Sequence, residues 1–227
     1  MTDIQLHYIE QGQGQPLILL HGNGESCVYF GHQIAYFSKQ YHVIALDTRG
    51  HGQSPRGEKP FTIKQFAEDL HDFMGEKGIE KAIILGFSDG GNIALTFALK
   101  YPERVDKMIV DGANLFPTGV KPLYQWPIEI GYRIAKMFSK KSDKAQCNAE
   151  MLGLMVNEPH IAPVELARLT MPVLVVAGTK DMIKDSHTKL IYKNLPNAQL
   201  NIIEGDHFVA NKNAEAFNKV VADFLRK

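Results

Sequence analysis

The sequence predicts an α/β protein, with a mostly parallel sheet, helices on both faces and a small helical cap inserted before the penultimate strands. Three observations predict it. Short apolar runs alternate with longer amphipathic stretches over most of the 227 residues. The segment 4–9 near the start instead alternates residue by residue, and residues 114–165 contain no strand-like run at all. Continuous apolar strands separated by helices are buried on both faces, which is the pattern of a parallel sheet.

In chain order, residues 4–9 read as an antiparallel edge strand turning through a Gly-Gln repeat into the next strand. Strand-like runs follow at 17–20, 43–46, 82–85, 107–110, 173–177 and 200–203. Helical periodicity fills 29–39, 63–77, 91–100, 184–194 and 214–225. Within 114–165, Pro117, Pro122 and Pro127 punctuate the chain before helical patterns at 128–138 and 143–156. An insertion of this length is long for a loop and short for a domain. The expected division is therefore a core of 1–113 and 166–227 with a cap of 114–165.

Bulk properties narrow the class. Lys and Arg total 25 against 25 Asp and Glu, a net charge of zero. That balance argues against a nucleic-acid or membrane-surface partner, both of which favour a basic excess. No apolar run reaches the length of a membrane span. The start of the chain lacks the basic-then-apolar order of a signal peptide, and the two cysteines, Cys27 and Cys147, have no motif spacing. The expectation is a cytoplasmic enzyme acting on a small molecule, with oligomeric state unreadable.

The chemistry centres on Gly86-Phe87-Ser88-Asp89-Gly90, a Gly-x-Ser-x-Gly pattern between a predicted strand and a predicted helix. A sharp turn there would expose the Ser88 hydroxyl at the carboxyl edge of the sheet, where ligands bind in open α/β sheets. Serine is equally a favoured helix N-cap, so the pentapeptide alone leaves both readings open. Two later strand ends favour the nucleophile. Asp181 follows the run 173–177, and His207 follows 200–203. A serine hydroxyl needs an imidazole to take its proton and a carboxylate to hold that imidazole. The order Ser88, Asp181, His207 supplies all three at one sheet edge. His21 and His51 lie in glycine-rich turns and read as structural, while Asp47 is expected to organise its turn with Arg49. There is no metal motif, phosphate loop or dinucleotide fingerprint, so no metal or cofactor is expected.

Five motifs in this order resemble the α/β-hydrolase superfamily over nearly the whole chain. They are His21-Gly22-Asn23-Gly24, residues 47–54 (Asp-Thr-Arg-Gly-His-Gly-Gln-Ser), the Ser88 elbow, residues 178–181, and residues 205–208. The resemblance implies that the backbone N–H of Asn23, or of Gly24 as second choice, joins that of Asp89 in an oxyanion hole. It also implies an alternative acid, since some relatives carry theirs at the position of Asp111; Asp181 is preferred for its Gly-x-x-Asp setting.

The expected reaction is hydrolysis of a small carboxylic ester through an acyl-enzyme on Ser88, with His207 as general base. Cofactor-free perhydrolysis, carbon–carbon bond hydrolysis and a slow-turnover receptor on the same fold are the alternatives. The Ser-Asp-Gly-Gly elbow resembles the valacyclovir-hydrolase-like branch, which cleaves amino-acid esters, and so implies that the Asp89 carboxylate binds a substrate ammonium group. The opposing expectation is that this carboxylate caps or solvates the helix start. The apolar cap residues, among them Leu115, Phe116, Leu123, Tyr124, Trp126 and Leu154, suggest a modest pocket, although packing accounts for most of them. Gly24, Trp126 and His160 complete the candidate substrate contacts.

Overall fold

The computed structural model describes residues 3–227. Seven strands form one sheet in the order β1-β3-β2-β4-β5-β6-β7. They are β1 (Tyr8–Gln11), β2 (Pro16–Leu20), β3 (His42–Leu46), β4 (Ala82–Phe87), β5 (Val105–Asp111), β6 (Val173–Gly178) and β7 (Ala198–Ile203). All neighbours run parallel except β1, which lies antiparallel on β3. The edge strand is shorter than the alternation at 4–9 predicts, and it pairs with β3 rather than with the strand that follows it. The His7 backbone is taken by the loop after β3: its carbonyl accepts from Asp47 N–H and its N–H donates to Ser54 Oγ. Ile4 and Leu6 are nevertheless buried.

The described residues form eight α-helices: α1 (Gly31–Phe37), α2 (Ile63–Glu76), α3 (Asp89–Lys100), α4 (Pro122–Phe138), α5 (Asp143–Asn157), α6 (Asp185–Asn194), α7 (Val209–Lys212) and α8 (Ala214–Leu225). The pleat divides the strand side chains between two cores. Ile18, Leu20, Ile44, Ile84, Met108 and Val175 meet α2, α3 and α6 on one face. Leu17, Leu19, Val43, Leu85, Ile109 and Leu174 meet α1 and α8 on the other.

Residues 114–165 contain α4 and α5, which pack on each other between β5 and β6. Helix α4 starts at Pro122, six residues before the sequence pattern begins. Pro122 opens the first turn, where its missing N–H costs nothing, and Pro127 is carried inside the helix. The insertion is fastened at its base. Val120 bridges Ile183, Lys121 N–H donates to the Met182 carbonyl at 2.8 Å, and Leu115 N–H donates to His187 Nε2 at 2.9 Å.

A buried ion cluster locks the loop after β3. Arg49, wholly inaccessible, grips Asp69 on α2 through Nε (2.7 Å) and one terminal nitrogen (2.6 Å), and also binds both oxygens of Asp3. Arg49 and Asp47 do not bind each other. Asp47 instead accepts from Cys27 N–H, Gln53 N–H and His7 Nδ1. Removing one partner from a buried ion cluster leaves uncompensated charge. Arg49→Leu should therefore cost about 3–5 kcal/mol in stability. Urea unfolding of the two proteins at neutral pH measures the difference.

Candidate functional site

Strand β4 lies between β2 and β5, and the chain must turn at its end directly into α3. Ser88 makes that turn at φ 53°, ψ −119°, and is the only non-glycine residue with positive φ among the described residues. Such a conformation costs roughly 1–3 kcal/mol and persists only where surroundings impose it. Here Ser88 N–H donates to the Asp111 carbonyl at 2.7 Å, and the first turn of α3 closes onto the Ser88 carbonyl. The flanking glycines are required by space. A Cβ on Gly86 would strike the Gly90 carbonyl, and one on Gly90 would strike the Leu20 carbonyl. Ser88 thus occupies the N-cap position of α3 without capping it, since its side chain accepts no helix N–H.

Its hydroxyl points instead to His207. Ser88 Oγ lies 3.0 Å from His207 Nε2, and His207 Nδ1 lies 2.7 Å from Asp181 Oδ1. A carboxylate can only accept, so Nδ1 carries the proton and Nε2 accepts from the serine hydroxyl. Burial opposes ionisation of Asp181, but the His207 ring and the N–H groups of Ile183 and Gly178 outweigh it and hold its pKa below the usual carboxylate range. The His207 ring is seated by Phe87, with centroids 4.9 Å apart. Gly112 makes room for it, because a Cβ there would lie 2.6 Å from Cε1.

The loop after β2 packs directly on this junction. Gly22 approaches so closely that a Cβ would lie 2.9 Å from Phe87. His21 shapes the loop: Nδ1 donates to the Gly22 carbonyl at 2.7 Å, and Nε2 accepts from Thr48 N–H at 3.0 Å. Burial and the neighbouring His51 push its pKa down to about 4, as suits a neutral structural imidazole. The N–H of Asn23 meets no protein acceptor among the described residues, and neither does the N–H of Asp89, first in α3. Gly24 stands exposed at φ 75° beside open space.

The Asp89 carboxylate neither turns to solvent nor accepts a helix N–H. It accepts from Asn23 Nδ2 at 2.9 Å and from Asn92 Nδ2 at 3.1 Å. Asn23 also donates to the Met151 carbonyl on α5 at 2.8 Å, while Asn92 reaches Asn114 at 3.1 Å. Burial raises the Asp89 pKa against the pull of these two amides, and no cation pairs with it among the described residues.

Several sequence candidates fall outside this arrangement. Trp126 is 67% exposed on the outer side of α4. The earlier helix start sets the phase so that the preceding residue, Gln125, faces inward, and Leu123 and Tyr124 are exposed with Trp126. His160 is exposed and lines an open groove of about 940 Å³ between α2, α3 and residues 157–168, to which neither Ser88 nor His207 contributes. Leu115 and Leu154 are core residues. Sequence reasoning missed Asn23 and Asn92 as side chains, and missed Gln125, whose Oε1 is buried without a partner. The available signal was Asn92, two residues after the Ser88 elbow, and Asn114, three residues after the end of β5.

Asp111 is wholly buried and makes no hydrogen bond to His207; neither of its carboxyl oxygens has a hydrogen-bond partner. It lies between Phe87 and Val176 in register, on the face toward α1 and α8. Burial and the nearby Asp181 charge push its pKa well above the usual carboxylate value, which favours the protonated form. His7, Cys27 and Asp47 bring ligand atoms within 4.8 Å of one another. Asp47 already accepts three hydrogen bonds, however, and burial together with Asp47 pushes the Cys27 thiol up to about 12, which disfavours the thiolate a metal needs.

With this geometry in hand, the relatives can be placed. The family model of the alpha/beta hydrolase fold matches residues 15–139. The serine hydrolase BPHL of Homo sapiens is 30% identical over 248 residues, covering 100% of this chain and 84% of that protein. The 3-oxoadipate enol-lactonase 2 of Acinetobacter baylyi is 28% identical, covering 99% and 94%. Among solved structures, the meta-cleavage product hydrolase CumD of Pseudomonas fluorescens IP01 superposes with a TM-score of 0.81 at 26% identity, covering 98% of this chain and 94% of that one. These likenesses define an enzyme of the hydrolase class. The chain belongs to the α/β-hydrolase family.

A raised carboxyl pKa has a definite effect on stability. The folded protein keeps the Asp111 proton while the unfolded chain releases it above about pH 4. Stability contributed at this position therefore falls as pH rises from there toward the folded-state value. Asp111→Asn removes that penalty. Its melting temperature should exceed that of the wild type more at pH 7 than at pH 4, as differential scanning fluorimetry at the two pH values can test.

Proposed function

We propose that the protein is a serine hydrolase of small carboxylic esters, with aminoacyl esters as the preferred class. The observation that carries this reading is the continuous contact from Ser88 Oγ through the His207 imidazole to Asp181, on a serine whose backbone is strained toward the open sheet edge. His207 takes the hydroxyl proton as Ser88 attacks the carbonyl carbon, and Asp181 stabilises the imidazolium that results. The N–H groups of Asn23 and Asp89 are the donors for the oxyanion. His207 returns its proton to the departing alkoxide, and water activated by the same imidazole releases the acid. The names of the human serine hydrolase and of the enol-lactonase, whose bond is an ester within a ring, support this class.

The aminoacyl preference rests on Asp89. A buried carboxylate beside the nucleophile, held only by neutral amides, is a ready partner for a substrate ammonium group. Carbon–carbon bond hydrolysis would use the same three groups but gives that carboxylate no role.

Labelling by a fluorophosphonate tests the nucleophile. Ser88→Ala should abolish labelling and lower ester turnover by about 10⁴-fold or more, whereas labelling that persists in Ser88→Ala would remove the assignment. For specificity, Asp89→Asn should lower kcat/KM for aminoacyl esters about 10- to 100-fold, the worth of one charge-assisted hydrogen bond, and leave simple acyl esters within a few fold. Because burial raises the Asp89 pKa, KM for aminoacyl esters should climb as pH falls through the acid range, and this climb should vanish in the variant. A ratio of the two ester types unchanged by the mutation would rule out the ammonium role.

A further inference from the structure

Helix α4 has two apolar faces. The inner one packs on α5 and turns Gln125 inward. The outer one has nothing against it: Leu123, Tyr124, Trp126, Ile130, Ile134, Met137 and Phe138 are between 42% and 78% exposed, and make up seven of the thirteen exposed large apolar residues among those described. The spacing 123, 126, 130, 134, 137 forms one stripe along the helix. An exposed apolar stripe of this length on a helix marks a surface that something else covers.

Charge identifies the cover. Between residues 133 and 144 stand Arg133, Lys136, Lys140, Lys141 and Lys144 against a single acid, Asp143. None of the five cations forms an ion pair among the described residues; Lys136 and Lys141 lie only over the rings of Tyr132 and Phe138. The zero net charge of the whole chain thus hides a local basic excess beside an apolar stripe that contains a tryptophan. A second copy is a poor fit, because the stripe is rimmed by one acid, Glu129, and pairing two copies would bring unmatched cations together. An apolar face with flanking lysines instead matches the interface of an anionic bilayer, where rings and alkyl chains enter the headgroup boundary and ammonium groups meet lipid phosphates. No described helix is long and apolar enough to cross a membrane, so α4 would lie in the plane of the surface.

We propose that the outer face of α4 docks this protein on anionic phospholipid membranes. The inference departs from the expectation drawn from net charge, and it stands independently of the reaction at Ser88. Trp126 is the one tryptophan in the chain, so its fluorescence reports this face directly. The full chain is titrated with vesicles of phosphatidylcholine alone and of phosphatidylcholine mixed with phosphatidylserine. With the mixed vesicles the emission should move to shorter wavelength and the protein should float with the lipid; with phosphatidylcholine alone it should do neither. Lys136→Gln/Lys140→Gln/Lys141→Gln should bind roughly a hundredfold more weakly, and Ile130→Asp/Ile134→Asp should lose binding, both with wild-type circular dichroism. An unshifted emission with the mixed vesicles overturns the proposal, as does equal binding to both vesicle types. So does a lipid-free shift that grows with protein concentration alongside a dimer in sedimentation.

Discussion

Ser88 is held at φ 53° because four pieces of backbone leave its chain no other course. Strand β4 is paired on both sides, α3 begins on the next residue, the β2 carbonyls press on Gly90, and the Asp111 carbonyl takes the Ser88 N–H. Relaxing the serine would mean moving a central strand. From this constraint follow the exposure of the hydroxyl, the free N–H at the start of α3, and the narrow space that admits glycine alone at 86 and 90. The sheet acts as a rigid mount, and the small strain at one residue is held by the packing of the whole core.

Asp181 and Asp111 show how position decides the fate of a carboxyl group. Asp111 is the last residue of β5, Asp181 follows the end of β6, and both are buried. Asp181 lies on a loop, where it gathers two backbone N–H groups and an imidazole, and so remains ionised. Asp111 is still within its strand, so its side chain is committed by the pleat to an apolar face and finds no donor. At the same sheet edge the charge of one acid is stabilised and that of the other is opposed.

Much of this was legible in the sequence, because the information is local. The core strands contain apolar runs, interrupted in β7 by Gln199 and Asn201, with a chemical residue at or just past each end, and the order of those ends resembles the family. What sequence could not supply was phase and partnership. The inward turn of Gln125 and outward turn of Trp126 depend on where α4 starts, and two of the three prolines that punctuate the chain, Pro122 and Pro127, are part of that helix. Asp47 and Arg49, two residues apart, take unrelated partners because the loop between β3 and α2 curls back over the start of the chain. The side-chain amides around Asp89 come from three separate segments, and no spacing rule links 23, 92 and 114. Net charge likewise averages over surfaces that the fold keeps apart.

The excursion through α4 and α5 leaves and rejoins the core at nearly one point, for Ile161 N–H donates to the Leu115 carbonyl at 2.8 Å. The chain between those two residues is a side branch on a closed ring, tied back to the core through Lys121, Met151 and Leu154. Length can be added or removed between those ties without shifting the register of any strand. Descendants of such a chain can exchange the covering while the chemistry beneath it is inherited intact, so substrate range and reaction type are free to diverge at different rates.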